Sequence, residues 1–361
     1  KMKLIPSFKI DFNKFKELDK WMLFSIICIV SFGILNIYLA TKGNYGIFYP
    51  KRQLIFFIVA LVALYFVLSI VLLVLVLVIG KTVNGAQGWI DLGGISLQPA
   101  ELAKVATIMM MGRKLEEMEG NINTVKNFFI LAIYAIIPAA LIVIQPDMGM
   151  TMVLFFMVLG VYFIGGLDKR VILYGLGGML LAVVLLWNSG LIQDYQKTRI
   201  TSFMNPDTDT SDSGYHLRQS LIGIGSGGFF GAHNSYSNDG TGGFASEYVP
   251  EVETDFIFAQ IGEQWGTVGA IILLSLYGLL ISRMINIAKN SKDIFGRCVS
   301  VGMVAYFLFA ITQNIGMTIG LMPITGITLP LVSYGGSSLL TTILSLGIVL
   351  NIGMSKKKIY F

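Results

Sequence analysis

Residues 249–263 read Val-Pro-Glu-Val-Glu-Thr-Asp-Phe-Ile-Phe-Ala-Gln-Ile-Gly-Glu, and they set a carboxylate, Asp255, where an acidic stretch becomes a long apolar one. A charge at such a boundary sits at the lip of a membrane, where a polar reaction on a lipid-linked substrate would need it. A structural reading competes: Thr254 or Asp255 can cap the helix that follows, since a side-chain oxygen accepts the free N–H groups of a first turn. Glu101 and Lys104, spaced i, i+3 after Gln98-Pro99, share a helix face. They are either a structural ion pair between spans, as intramembrane charges usually are, or the lining of a polar cavity in which Lys104 meets a phosphate. Trp89, in Gly88-Trp89-Ile90-Asp91-Leu92-Gly93-Gly94, is either an interface-belt residue or a substrate contact. Ser333-Tyr334-Gly335-Gly336-Ser337-Ser338, preceded by Pro323, Thr325, Gly326 and Pro330, forms a polar break in a helical region. Such breaks occur at membrane depth where backbone lines a cavity.

Other polar stretches carry weaker signals. Gln145-Pro146-Asp147-Met148-Gly149 reads as a tight turn between spans. Gly223-Ile224-Gly225-Ser226-Gly227-Gly228 is neither a Walker loop nor a dinucleotide fingerprint, and a flexible re-entrant loop describes it better than a phosphate cradle. His216 and His233 have no ligand spacing with cysteines or acids, so they read as loop hydrogen-bonding groups rather than zinc ligands. Cys28 and Cys298 lie in apolar stretches and read as small core residues.

The elements that must position these residues are membrane helices. Hydrophobic residues make up 55% of the chain and charged residues only 13%, and apolar runs recur at about the 20-residue length needed to cross the hydrocarbon core. The expected fold is an all-α integral membrane protein of about ten transmembrane helices, a single polytopic domain over residues 1–361. The spans fall near 21–40, 52–69, 70–80, 98–112, 127–145, 149–166, 170–188, 256–281, 298–320 and 329–354. Residues 1–20 form a basic amphipathic segment on the inner surface. The net charge of +5 comes from short loops and indicates orientation; without a basic patch interleaved with aromatics, nucleic acid is not expected as a partner. Arg113, Lys114, Lys126, Lys169, Arg170, Arg283, Lys289, Lys292, Arg297 and Lys356 to Lys358 belong inside. Residues 189–255 are acid-rich and form a large outer loop before the eighth span, so Asp255 faces outward.

One stretch breaks the parity. Leu54 to Ile79 is an unbroken uncharged run, long enough for one tilted helix and too short for two full spans. A single crossing would put the two termini on opposite sides. Parity is restored if a charged inner loop with parts of two helices is absent around residues 69–71, or if one segment is re-entrant.

The stretches 89–94 with 98–104, 145–149, 214–231, 250–263 and 314–338 together resemble the successive motifs of the SEDS (shape, elongation, division and sporulation) family, over nearly the whole chain. Asn314-Ile315-Gly316-Met317, Pro323 to Ile327 and Gly33 to Tyr38 resemble its rod-shape branch, RodA, more than its division branch, FtsW. The resemblance implies a peptidoglycan glycosyltransferase that polymerises lipid II on the outer face of the bacterial plasma membrane. It also implies cytoplasmic termini, a class B penicillin-binding protein as transpeptidase partner, and an essential Asp255. Where the family usually has His before Thr-Asp-Phe, this chain has Glu253. That second carboxylate either faces Asp255 and raises its pKa or points to water. On this reading the acceptor 4-hydroxyl attacks the anomeric carbon of a lipid diphosphate donor, with inversion and with Asp255 as general base. The departing diphosphate needs a cation: a divalent ion (Mg2+ or Mn2+), or Arg52, Lys104, Arg199 or Arg218. Trp89, Glu101, Ser333 and Ser337 complete the expected substrate-binding set, and no organic cofactor is expected. A precursor flippase, using buried Glu101, Lys104 and Glu263, is the alternative.

Overall fold

The computed structural model describes residues 19–41, 53, 81–83, 86–91, 96–144, 147–188, 201, 203, 213–232 and 243–354. The expected spans near 52–69 and 70–80, the question around 69–71, Arg52, Arg199 and His233 lie outside the described residues.

The long helices are α1 (Lys20–Thr41), α2 (Pro99–Glu117), α3 (Val125–Ile144), α4 (Met148–Ile164), α5 (Lys169–Asn188), α8 (Ile257–Lys289), α9 (Ile294–Thr318) and α10 (Gly336–Met354). Two short helices, α6 (Ser213–Gly227) and α7 (Phe244–Tyr248), precede α8. Among the described residues five helices, α1, α3, α8, α9 and α10, are long and apolar enough to cross a membrane, and α4 is a shorter apolar helix. The chain is a multi-pass membrane protein. Its helical bundle carries one addition that hydropathy did not predict, a small antiparallel sheet of β1 (Lys81–Val83), β2 (Ala86–Asp91) and β3 (Ser96–Leu97). Pairing of Asp91 with Ser96 turns the chain directly into α2, where Pro99 occupies the first turn, a position that needs no N–H donor.

α9 is the central element: Met303, Phe307 and Ala310 are fully buried in the main core, which also takes Ile108 and Met111 of α2 and Val153, Met157 and Val161 of α4. Close approach is set by small residues. A Cβ on Gly160 would lie 3.0 Å from the Cβ of Ala305, so α4 and α9 pack at nearly backbone distance there.

Contacts at both ends fix the direction of the helices. Asp19, at the start of α1, pairs with Arg283 near the end of α8 at 2.8 Å. Asn123, between α2 and α3, donates to the Gly166 carbonyl and accepts from the Asp168 amide, tying two loops at that same kind of basic, polar end. At the other end Ala40 of α1 packs with Ala245, Val249, Val252 and Phe256, and the Gln98 amide donates to Ser337 at the start of α10. Thr41 and Gln98 therefore lie at the same end of the bundle.

Two expected boundaries move. Helix α10 begins at Gly336 rather than 329, because 323–335 is extended and turned backbone. Helix α8 is interrupted at Gly266, whose φ of 61° and ψ of −157° are open essentially to glycine alone.

Candidate active site

Asp255 sits in a tight turn between α7 and α8. The amides of Thr254, Asp255 and Phe256 all donate to the carbonyl of Glu251, which is itself left-handed at φ 54°. Helix α8 starts at Ile257 with Phe256 in the cap position and no side-chain cap bond. The Thr254 hydroxyl, one candidate cap, bonds back to Glu251 instead.

A broken segment, 319–335, packs against this turn. The Tyr334 amide donates to the Glu253 carbonyl at 2.7 Å, the Ser333 hydroxyl to the Thr254 carbonyl at 2.6 Å, and the Asn314 amide to the Asp255 carbonyl at 2.8 Å. Leu331, at φ 70°, adds a second strained position, of a kind costing about 1–3 kcal/mol and kept only where surroundings over-determine it. The surroundings are visible. The hydroxyl of Tyr277 donates to Pro330, Gln53 donates to Ser333, and Gly33 of α1 lets the 331–332 backbone approach so closely that a Cβ would lie 2.6 Å from the Val332 Cα. The Asp255 carboxylate emerges beside Gly326, where an added Cβ would lie 3.3 Å from Oδ2. Gly326 is exposed and left-handed at φ 72°.

Further helix starts gather at this end. Asp147 caps α4 through the Met150 amide and accepts from the side chain of Gln98, the residue before α2. Gly149 abuts the Thr325 carbonyl. The N-terminal ends of α2, α4 and α10 thus surround the segment next to Asp255, and the positive ends of helix dipoles favour anions.

Several of the expected site residues sit in buried, bonded settings. Glu101 and Lys104 do not line an open cavity: they are 5% and 2% exposed, pair at 2.6 Å, and are completed by the Thr341 hydroxyl and by the ring of Tyr306 at 4.0 Å. These partners enclose the ammonium, which is the structural ion-pair setting, one of the two readings the sequence left open. Ser333 and Ser337 are struts, buried at 5% and 3%, with their hydroxyls spent on Thr254, Leu329 and Gln98. The Gly223–Gly227 stretch is helix α6 rather than a loop. Two of its glycines serve packing: Gly227 lies against the backbone of Gly262 and Glu263, and Gly223 against Ala245. The segment reaches Gly266, where the amides of Thr267 and Val268 donate to Gly228 and Phe229 and so replace the helical bonds lost at the kink.

Glu263 is wholly buried and binds the first amides of α7, Phe244 at 2.7 Å and Ala245 at 2.6 Å. Arg218 is exposed on α6, one residue from Leu217, which packs near Gly320. His216 packs edge-on to Phe256. Trp89 lies on β2, the central strand. Glu253 is half-buried, and burial pushes its carboxyl above the usual carboxylate range, helped by the charge of Glu251 and opposed by its own backbone amide. Sequence reasoning missed the bonding roles of Gln53, Gln98 and Asn314; for Asn314 an amide side chain inside an apolar run was the available signal.

A model of the FtsW/RodA/SpoVE family, described as cell cycle proteins, matches residues 17–358. Stage V sporulation protein E of Bacillus subtilis is 33% identical, over 92% of this chain and 96% of its own length. Peptidoglycan glycosyltransferase MrdB of Escherichia coli is 35% identical over 94% of this chain and 95% of its own. A probable peptidoglycan glycosyltransferase FtsW of Trichlorobacter lovleyi is 35% identical over 94% of each. Among solved structures, a chain of a peptidoglycan synthase complex that coordinates polymerization and crosslinking superimposes with a TM-score of 0.77 at 30% identity, covering 94% of this chain and 98% of that one. Rod shape determining protein RodA of Thermus thermophilus superimposes with a TM-score of 0.67 at 29% identity, covering 94% and 98%. An aspartate-to-alanine mutant of that RodA gives the same TM-score at 28% identity, covering 94% and 99%.

Proposed function

Because the chain belongs to the FtsW/RodA/SpoVE family of cell cycle proteins, we propose that it is a peptidoglycan glycosyltransferase that polymerises lipid II during cell elongation, with Asp255 as its general base. The observation that carries this reading is Asp255 itself: a carboxylate held by a hydrogen-bonded turn with a left-handed Glu251, facing a glycine that leaves room beside it. The relatives named as peptidoglycan glycosyltransferases support the reaction.

In the step proposed, the acceptor 4-hydroxyl oxygen forms a bond to the donor anomeric carbon while the bond from that carbon to the diphosphate oxygen breaks. The hydroxyl proton passes to the Asp255 carboxylate, and the electron pair leaves with undecaprenyl diphosphate. Attack opposite the leaving group gives inversion. General-base help of this kind is worth typically 10²- to 10⁴-fold.

The diphosphate needs positive charge. Lys104 is enclosed, so this charge falls to Arg218, exposed on α6, to Arg52 and Arg199, and to the gathered helix N-terminal ends. Among the described residues no group of three His, Cys, Asp or Glu side chains is arranged to hold a metal. On this proposal a Mg2+ or Mn2+ ion would arrive on the substrate phosphates, as Mg2+ commonly does.

Orientation follows from charge. Arg113, Lys114, Lys126, Lys169, Arg170, Lys289, Lys292 and Arg297 flank helix ends opposite Asp255, so that end belongs in the cytoplasm with both termini, and Asp255 faces outward. The synthase complex among the structural relatives supports a class B penicillin-binding protein as partner. A flippase would use ionisable groups free to move; Glu101, Lys104 and Glu263 are each committed to buried partners. The deciding experiment gives purified protein lipid II in detergent, with and without the transpeptidase and divalent metal. Glycan polymer is expected; movement of lipid II between leaflets of liposomes without polymer would instead make it a flippase.

A further inference from the structure

Both peptide planes that flank the Asp255 Cα are pinned at both ends. In the first, the Thr254 carbonyl accepts from the Ser333 hydroxyl and the Asp255 amide donates to Glu251. In the second, the Asp255 carbonyl accepts from Asn314 and the Phe256 amide donates to Glu251. Planar peptides leave two soft torsions per residue, so fixing both planes fixes φ and ψ of Asp255 and with them the direction of its Cα–Cβ bond. Among these donors Asn314 has a second contact: the same Nδ2 donates at 2.8 Å to the Ile327 carbonyl. Ile327 follows Gly326, the residue beside the carboxylate. One fully buried side chain therefore sets both the backbone that carries the carboxylate and the backbone that faces it. Its orientation is forced, because a flipped amide would put oxygen against two carbonyl oxygens.

Resting on the reading of Asp255 as general base, we propose that Asn314 is a positioning residue for glycan polymerisation, holding the Asp255 carboxylate at its aim across the gap to Gly326. It touches no reacting atom. Its loss should act on turnover and leave lipid II binding alone, since a displacement of about 1 Å can cost roughly 10²-fold in rate.

The test uses the full chain with its transpeptidase partner and measures glycan polymerisation, KM for lipid II, lipid II binding without turnover, and thermal unfolding. Asn314→Asp keeps the shape and replaces both donors with acceptors; Asn314→Ala removes them; Asn314→Gln keeps two donors on a longer arm. The expected result is a kcat lower by about 10²-fold in the Asp and Ala variants, unchanged KM and binding, and partial recovery in the Gln variant. Ser333→Ala, which frees the other plane at Thr254, should show the same split. Wild-type kcat in Asn314→Ala would overturn the proposal, as would loss of binding in step with turnover in all four variants, which would make these bonds part of the general fold. Asp255→Asn is run beside them. If it polymerises normally, the base assignment fails; if it is inactive and Asn314→Ala is not, only the positioning claim fails.

Discussion

Replacing Glu263 with glutamine should release α7 while leaving the bundle assembled. The carboxylate accepts two backbone N–H groups, Phe244 at 2.7 Å and Ala245 at 2.6 Å, and it is 0% exposed, so no water replaces a lost acceptor. Glutamine offers one oxygen to one amide and turns its own N–H groups toward the other. Losing one hydrogen bond to a charged group costs about 1.5–3 kcal/mol. A helix of five residues cannot hold itself without tertiary support, so the loss should appear first as local opening of 243–249. At about tenfold per 1.4 kcal/mol, amide exchange at Phe244 and Ala245 should accelerate by roughly 10- to 150-fold. Exchange in α9, whose core is remote from this contact, should stay at the wild-type rate. Hydrogen exchange resolved to single residues, with limited proteolysis between 243 and 249, reads both. Wild-type protection at Ala245 in Glu263→Gln would refute the anchoring role and return Glu263 to the candidates for transport chemistry.

Gly266→Ala should fail to accumulate as a monodisperse protein, because φ 61° with ψ −157° excludes a Cβ and the 228–231 backbone fills the space; size-exclusion chromatography after solubilisation checks it. Lys104→Met should destabilise by about 3–5 kcal/mol, since it leaves Glu101 buried and unpaired, and Glu101→Leu combined with Lys104→Met should recover most of the loss in thermal unfolding. Glu253 has a folded pKa above its unfolded value of about 4.5, so between the two the folded state holds more protons. Its contribution is fully present below about pH 4.5 and is lost as pH rises through the folded value. Thermal unfolding across that window should show a falling limb in the wild type that Glu253→Gln flattens.

Hydropathy located most of the helices because α1, α3, α9 and the later part of α8 are continuous apolar runs of spanning length. It misplaced the start of α10, since Leu329, Leu331 and Val332 are buried in the core without being helical. Burial, not helicity, made that stretch apolar. The Gly223–Gly228 stretch was misread for a related reason: glycine signals loop until a partner backbone is known to lie against it, as Gly262 lies against Gly227. Asp255 was legible from its setting at a helix start. The residues that aim it were not, because Asn314, Ser333 and Glu251 lie far apart in sequence or act through backbone atoms, and neither feature leaves a pattern of spacing.

The most direct test of the account is Asp255→Asn in the full chain, assayed with its transpeptidase partner and lipid II. The variant keeps the shape of the side chain and removes its capacity to take a proton. The account predicts normal folding, normal lipid II binding and no glycan polymer above background. Wild-type polymer from a folded Asp255→Asn protein would contradict it.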